Sequence, residues 1–161
     1  MTAKTVIHPI PPVYDKHSKV LILGSFPSVK SREYGFFYGH MQNRFWRVVA
    51  NVFDEKTPES VEEKKEVLLK NGIALWDVIH SCEISGSVDS RIKNAVPNDI
   101  NRIINESKIE RIFTNGKKAD ELYKKYLENR TGIKAVCLPS TSPANAAWSV
   151  EKLTEQWKVI K

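Results

Sequence analysis

Residues 19–25, "KVLILGS", decide the fold. An apolar run this short, closed by a glycine, reads as a strand that feeds a turn. A strand with no polar face is buried on both sides, which is the condition of a parallel sheet covered by helices. The same pattern recurs in "IALWDVI" (73–79), "IERIFTNG" (109–116) and "IKAVCLPS" (133–140). Helical stretches separate these runs. "NRFWRVVANVF" (43–53) places Phe45, Val49, Val52 and Phe53 at helical spacing, with Asn43 where an N-cap stands. "SVEEKKEVLLKNG" (60–72) is amphipathic and closes on Asn71-Gly72. "PNDINRIINESK" (97–108) carries a proline in its first turn, and "KKADELYKKYLENR" (117–130) and "SVEKLTEQWKVIK" (149–161) complete the set. Strands and helices alternating in this way predict an α/β fold: a three-layer α/β/α sandwich with a central four-stranded parallel sheet, in one domain over residues 1–161. Residues 1–18 read as an extended N-terminal arm, with His8 and His17 facing solvent. "HSCEISGSVDSRIKNAV" (80–96) reads as a polar loop.

Composition narrows the class of function. A chain of 161 residues suits one domain with a substantial core. Its 41% hydrophobic and 27% charged content is that of an ordinary globular protein. The net charge of +6 and pI near 9.3 favour an anionic partner, nucleic acid first. Cys82 and Cys137 are far apart and in no CxxC pair, which argues against a disulfide framework or an iron–sulfur site. No metal or other cofactor is expected. The N-terminus lacks the apolar run of a signal peptide. No apolar run approaches the roughly 20 residues of a membrane span, so the expectation is a cytoplasmic protein with no membrane partner.

In open α/β sheets ligands sit beyond the carboxyl ends of the strands. The unusual motifs here all follow strands, so four distant loops converge on one rim. "GSFPS" (24–28) offers backbone amides and the hydroxyls of Ser25 and Ser28 to a phosphate or a base edge, or is an ordinary turn. It is neither a dinucleotide fingerprint nor a P-loop. In "PSTSPAN" (139–145), Ser140, Thr141, Ser142 and Asn145 sit among prolines in a small, stiff loop that suits phosphate contacts; the alternative is a helix start capped by Ser142 or Asn145. Asn115 ends the third strand and Asp77 lies near the end of the second, each a candidate for a ligand contact or a turn.

The richest stretch is "YGFFYGHMQNRFWRVV" (34–49), where rings and polar groups mix. Aromatic faces stack on bases and amides read base edges or hold water. Phe36, Phe37 and Tyr38 form a candidate stacking wall, and His40, Gln42 and Asn43 a candidate polar lining. Phe45 and Trp46 read as core. Asn43 fits a helix cap and a functional amide equally well.

Taken together, "GSFPS", "GFFYGHMQNRFW" and "PSTSPAN" resemble the uracil-DNA glycosylase superfamily, in order and over most of the chain. The mismatch-specific uracil/thymine branch carries a Gly-x-Asn-Pro turn, an Asn-x-Phe-Trp stretch and a Pro-Ser-Ser/Thr-Ser loop. Phe26 stands here in place of that turn's asparagine, and Met41 in place of a common proline. The "GSFPS" form is similar to the hypoxanthine-DNA (DNA-deoxyinosine) glycosylase subfamily. That resemblance implies Asn43 as the catalytic amide, Tyr38 as the ring stacked on an extruded base, and Ser140 to Asn145 as a loop pressed into the minor groove. Phe26, Tyr38, His40, Asp77 and Asn115 are the base-binding candidates, and Ser25, Ser28, Ser140, Thr141, Ser142 and Asn145 the DNA-binding ones. The implied protein is a monomeric, monofunctional glycosylase of double-stranded DNA carrying a deaminated base, with single-stranded DNA as a further substrate. It would act at the nucleoid and remove hypoxanthine to leave an abasic site. The alternatives are a mismatch-specific uracil/thymine glycosylase and a non-catalytic lesion- or nucleotide-binding module.

Overall fold

A computed structural model describes residues 4–84 and 92–161. In chain order the elements are β1 (Lys4–Ile7), β2 (Val20–Gly24), α1 (Val29–Tyr34), α2 (Phe45–Val52), α3 (Val61–Lys70), β3 (Ile73–Asp77), β4 (Ile79–Ile84), β5 (Lys93–Pro97), α4 (Ile100–Asn105), β6 (Arg111–Asn115), α5 (Lys117–Tyr126), α6 (Glu128–Thr131), β7 (Ala135–Leu138) and α7 (Val150–Trp157). A 3-10 turn, Lys158–Ile160, follows α7.

The central sheet is parallel, in the order β3-β2-β6-β7. β2 and β3 are buried at every position, as their unbroken apolar runs require. Helices flank the sheet, so the three-layer α/β/α architecture with four parallel strands is the one observed. Strand order reverses between β2 and β6, where a crevice opens beyond the carboxyl ends. In register, Gly24 lies beside Asp77 and Thr114 beside Leu23, so the ends of three strands meet there. The core joins both sides of the sheet through Leu21, Ile22, Leu23, Phe45, Leu75, Ile103 and Trp157.

Three local readings are corrected. First, residues 4–13 are not a loose arm: β1 pairs antiparallel with β4, and Val13 bridges Leu75. Val6, His8 and Ile10 alternate onto the inner face; Ile10 and Val13 are buried and Ile7 is exposed. His8 is therefore buried rather than facing solvent, whereas His17 is exposed. Second, the stretch read as a polar loop over 80–96 contains β4 and β5, which with β1 form a three-stranded antiparallel sheet in the order β1-β4-β5. Of that stretch, residues 85–91 lie outside the described residues. β5 ends on Pro97 and is mostly exposed, which explains why its pattern carries no strong strand signal. Third, Pro97 belongs to β5, and α4 begins after Asp99, whose side chain accepts from Arg102 N–H. Helix α1 is an addition. Ser28 caps its start and Gly35 closes it in the left-handed conformation, at φ 84°.

Among the described residues, no helix is long and apolar enough to cross a membrane. No group of three or more His, Cys, Asp or Glu residues is placed to hold a metal ion among them.

Candidate active site

At the β2/β6 switch point lies a cleft of about 570 Å³. Its wall comes from the loop after β2, the segment before α2, the ends of β3 and β6, and the loop after β7. Ser25, Phe26, Ser28, Tyr38, His40, Asn43, Asp77, Asn115, Ser140, Thr141 and Ser142 all line it. Asn145 does not. Its Nδ2 donates to Ser140 O at 3.0 Å and so ties the loop to itself. Gln42 is exposed and outside the lining, and Phe36 is buried against Trp46, stacked at 5.9 Å between ring centroids. Phe37, though buried, is part of the wall.

The amide of Asn43 is held by a directional chain of hydrogen bonds. Its Oδ1 accepts from Phe45 N–H at 2.9 Å and from the Thr141 hydroxyl at 2.8 Å. The Phe45 backbone donor fixes which end of the amide is oxygen. Thr141 Oγ1 in turn accepts from Asn115 Nδ2 at 3.0 Å, and Thr141 N–H donates to Asn115 Oδ1 at 3.1 Å. Thr141 is fully buried. Both lone pairs of Asn43 Oδ1 are thus engaged, and its Nδ2 makes no hydrogen bond among the described residues. The N-cap of α2 is Arg44 rather than Asn43; Asn43 stands one residue before it, satisfies the Phe45 N–H of the first helical turn with its side chain, and keeps Nδ2 as a donor at the cleft. Asn115 is clamped to Thr141 and keeps only its second N–H and second lone pair for other partners.

The loop after β7 is fastened by Arg44. Its guanidinium donates to the carbonyls of Thr141 (3.3 Å), Ser142 (2.8 Å), Asn145 (3.1 Å) and Trp148. Arg44 N–H also donates to Thr141 O at 3.1 Å, and Trp157 Nε1 donates to Pro139 O at 3.0 Å. Neither Ser142 nor Asn145 caps a helix, because Ser149 caps α7. Ser142 Oγ instead accepts from Ala144 N–H, and Ser140 Oγ from Ser142 N–H, each at 3.1 Å. Ser28 Oγ accepts from Ser31 N–H at 3.1 Å, which combines its capping role with its place on the cleft wall.

Tyr38 has a left-handed backbone, φ 54°, unusual for a non-glycine residue. Its ring stacks on Phe45 at 4.1 Å with 17° between planes, so one face is already covered. His40 Nδ1 accepts from Gln42 N–H at 3.1 Å, which leaves Nε2 as the donor of the neutral ring. At the floor, Asp77 Oδ2 pairs with His8 Nε2 at 2.7 Å. Phe26 packs edge-on to the His8 ring at 5.7 Å, with the Arg32 guanidinium over its face.

Gly24 makes the floor possible. A Cβ there would stand 2.4 Å from Asp77 Oδ1 and 3.1 Å from the Tyr38 hydroxyl. Gly24→Ala is expected to displace the Asp77 carboxylate and to cost about 1–3 kcal/mol of stability, the usual penalty of overpacking. The denaturant midpoint should fall accordingly; an unchanged midpoint would show that the floor has room to spare.

His8 and Arg44 were missed as site residues by the sequence reading. The period-2 pattern Val6, His8, Ile10 is the signal for the first. Nothing in the sequence announces that Arg44 spans to a loop about a hundred residues away.

A sequence profile of the uracil DNA glycosylase superfamily matches residues 11–161. The chain belongs to that superfamily. Its relatives include a hypoxanthine DNA glycosylase of Methanosarcina acetivorans, 37% identical over 152 residues, covering 93% of this chain and 94% of that one. Another is a hypoxanthine DNA glycosylase of Methanosarcina barkeri, 33% identical over 137 residues, covering 84% and 85%. The fold matches the solution NMR structure of a candidate uracil DNA glycosylase from Methanosarcina acetivorans. The TM-score is 0.79 at 33% identity, over 96% of this chain and 99% of that one. Within this uracil DNA glycosylase superfamily member, the cleft is the place where the three family-like motifs meet.

Proposed function

We propose that the cleft takes up a deaminated base turned out of DNA and that Asn43 directs the water that replaces it. The chain is a DNA glycosylase, and hypoxanthine is the base to which its named relatives point. The observation that carries the site assignment is the fixed amide of Asn43, with its unused Nδ2 at the cleft and Phe26 where the first turn of related enzymes has an amide.

The reaction adds water across the N-glycosidic bond. The C1′–N bond breaks, the water oxygen bonds C1′, one of its protons passes to the released base, and the other stays on the C1′ hydroxyl of the abasic site. The sugar passes through an oxocarbenium-like state. An amide does not titrate usefully near neutrality, so Asn43 acts by placement: Nδ2 donates to the water oxygen and leaves a lone pair toward C1′. Tyr38 offers its uncovered face to the base, and Asp77, with Phe26, His40 and Asn115, borders its edge. Ser140 and Ser142 press the stiffened loop into the minor groove, with the fully buried Thr141 fixing the loop from behind rather than meeting DNA, and the insertion offsets part of the few kcal/mol of unstacking. Ser25 and Ser28 meet the flanking backbone, and Asn145 supports the loop. The enzyme acts as a monomer on double-stranded DNA, and on single strands where no stack needs opening, in the compartment that holds the chromosome.

The test is a panel of otherwise identical duplexes carrying deoxyinosine, deoxyuridine, deoxyxanthosine or a G·T mismatch, followed by alkali. Deoxyinosine is expected to give alkali-labile sites fastest. Faster cleavage at uracil or at the mismatch would favour the mismatch-specific activity, and binding without alkali-labile sites would favour a non-catalytic module.

A further inference from the structure

We infer that His8 is a positioning residue that keeps Asp77 an acceptor-only group toward the cleft, and so makes the site select bases that carry an imino N–H. The inference deepens the reading of the cleft as a base pocket and rests on it.

His8 follows β1 and is delivered beside β4 by the antiparallel pairing; its own N–H donates to His80 O at 2.7 Å. It lies just outside the residues matched by the superfamily profile, which begin at 11. The His8 and Asp77 side chains are 1% and 5% exposed. A carboxylate buried to that extent needs a donor. The backbone settles which donor it has. Ile10 N–H donates to His8 Nδ1 at 3.2 Å, so that nitrogen carries no proton. The ring proton therefore resides on Nε2 and is given to Asp77 Oδ2 at 2.7 Å. The His8 ring is held in that orientation by Phe26 at 5.7 Å, Phe37 at 6.0 Å and Trp76 at 6.2 Å.

One oxygen of the carboxyl group is thereby occupied and its plane is fixed. The other, Oδ1, accepts no hydrogen bond among the described residues and lies against Gly24, on the cleft wall. It presents lone pairs and no proton. Deamination changes the matching atom of a base. Adenine N1 and cytosine N3 are acceptors, whereas hypoxanthine N1 and uracil N3 carry a hydrogen. An acceptor-only carboxylate oxygen makes a charge-assisted bond to the deaminated base and sets lone pair against lone pair with its parent. Buried polar sites of this kind discriminate far more strongly than apolar ones. The pair separates imino from non-imino bases; it does not by itself separate hypoxanthine from guanine.

Removing His8 leaves the buried carboxylate without its donor, so its plane is no longer fixed and Oδ1 is no longer held toward the cleft. The experiment compares excision of hypoxanthine from deoxyinosine with release of purine from 2′-deoxynebularine, whose N1 is an acceptor. The two lesions sit in the same duplex context, under single-turnover conditions with subsaturating enzyme, corrected for spontaneous loss. The parent should prefer deoxyinosine. His8→Leu should lower that preference by about tenfold or more, the worth of a charge-assisted bond. His8→Gln can donate to Asp77 and accept from Ile10, and should keep the parental preference. Asp77→Asn lets His8 hold the amide oxygen and turns an N–H toward the cleft, so its preference should collapse even where His8→Leu folds poorly. Equal slowing on both substrates by His8→Leu, or an unchanged preference in Asp77→Asn, would overturn the inference. A parent that releases no deaminated base would instead overturn the base-pocket reading beneath it.

Discussion

Asn43→Ala is expected to slow single-turnover excision of hypoxanthine by roughly 100- to 1000-fold, the loss that removal of one preorganised donor brings in other enzymes. Duplex affinity should change little, because in the proposed role the residue meets the reacting centre and not the phosphates. The same substitution also removes an acceptor for Phe45 N–H in the first turn of α2, and the loss of one such hydrogen bond costs about 1 kcal/mol of stability. The two effects separate in Asn43→Asp. That side chain keeps both acceptor bonds, to Phe45 N–H and to the Thr141 hydroxyl, and lacks only the N–H donor. It should melt like the parent and still excise more slowly. If both variants fold and excise at the parental rate, Asn43 is structural and nothing more.

The second large effect is expected at Thr141. Its hydroxyl joins Asn115 Nδ2 to Asn43 Oδ1, at 3.0 and 2.8 Å, in a fully buried position. Thr141→Val keeps the shape and removes the oxygen. Two half-buried amides, of Asn43 and Asn115, then each lose a partner, at about 0.5–1.5 kcal/mol per hydrogen bond. The Asn43 amide also loses half of what fixes its plane, and a small misplacement at a reacting centre costs on the order of 10- to 100-fold. Thermal melting should show the first effect and single-turnover excision the second. Thr141→Ser retains the hydroxyl and should recover most of both. If Thr141→Val melts and excises as the parent does, the hydroxyl is not part of the mechanism. The Thr141 result also bears on the loop: Arg44 holds the carbonyls of the same loop, so the loop can stay in place while only the hydroxyl relay is cut.

The four parallel strands were legible because burial on both faces leaves no polar position in β2 or β3, and few alternatives explain such runs. The rim of motifs followed from that topology, and of the site residues chosen from sequence only Phe36, Gln42 and Asn145 lie off the cleft lining. The antiparallel sheet was not legible. β4, IHSCEI, is interrupted by His80, Ser81 and Glu83, and β5 is largely exposed and ends on Pro97, so neither carries an apolar run. Its partner β1 runs into a proline-rich segment, and the alternation of Val6, His8 and Ile10 was obscured by Pro9, Pro11 and Pro12. Helix α1 was missed because its apolar residues, Val29 and Tyr34, are exposed and form no stripe, although Ser28 and Gly35 mark its ends. The stacking wall shrank for a related reason. Aromatic content says nothing about which ring faces inward, and packing sends Phe36 into the core while leaving Phe37 and Tyr38 on the cleft.

The roles of the Asn43–Thr141–Asn115 chain, of Gly24 beside Asp77 and of Arg44 across the loop depend on contacts between strand ends and loops that are distant in sequence. The register of β2 against β3 and β6 creates them. Single-residue patterns could nominate Asn43 and Asp77, but the orientation of each amide or carboxyl group follows only from the backbone donors around it.

The most direct measurement follows the free base and the strand together. The enzyme is incubated with a duplex containing one deoxyinosine, and released hypoxanthine is quantified by chromatography while the strand is analysed with and without alkali. The account predicts one free hypoxanthine for each alkali-labile site, an intact strand before alkali, and loss of both signals together in Asn43→Ala. Release of no free base, release of 2′-deoxyinosine as a nucleoside, or strand cleavage before alkali would contradict it.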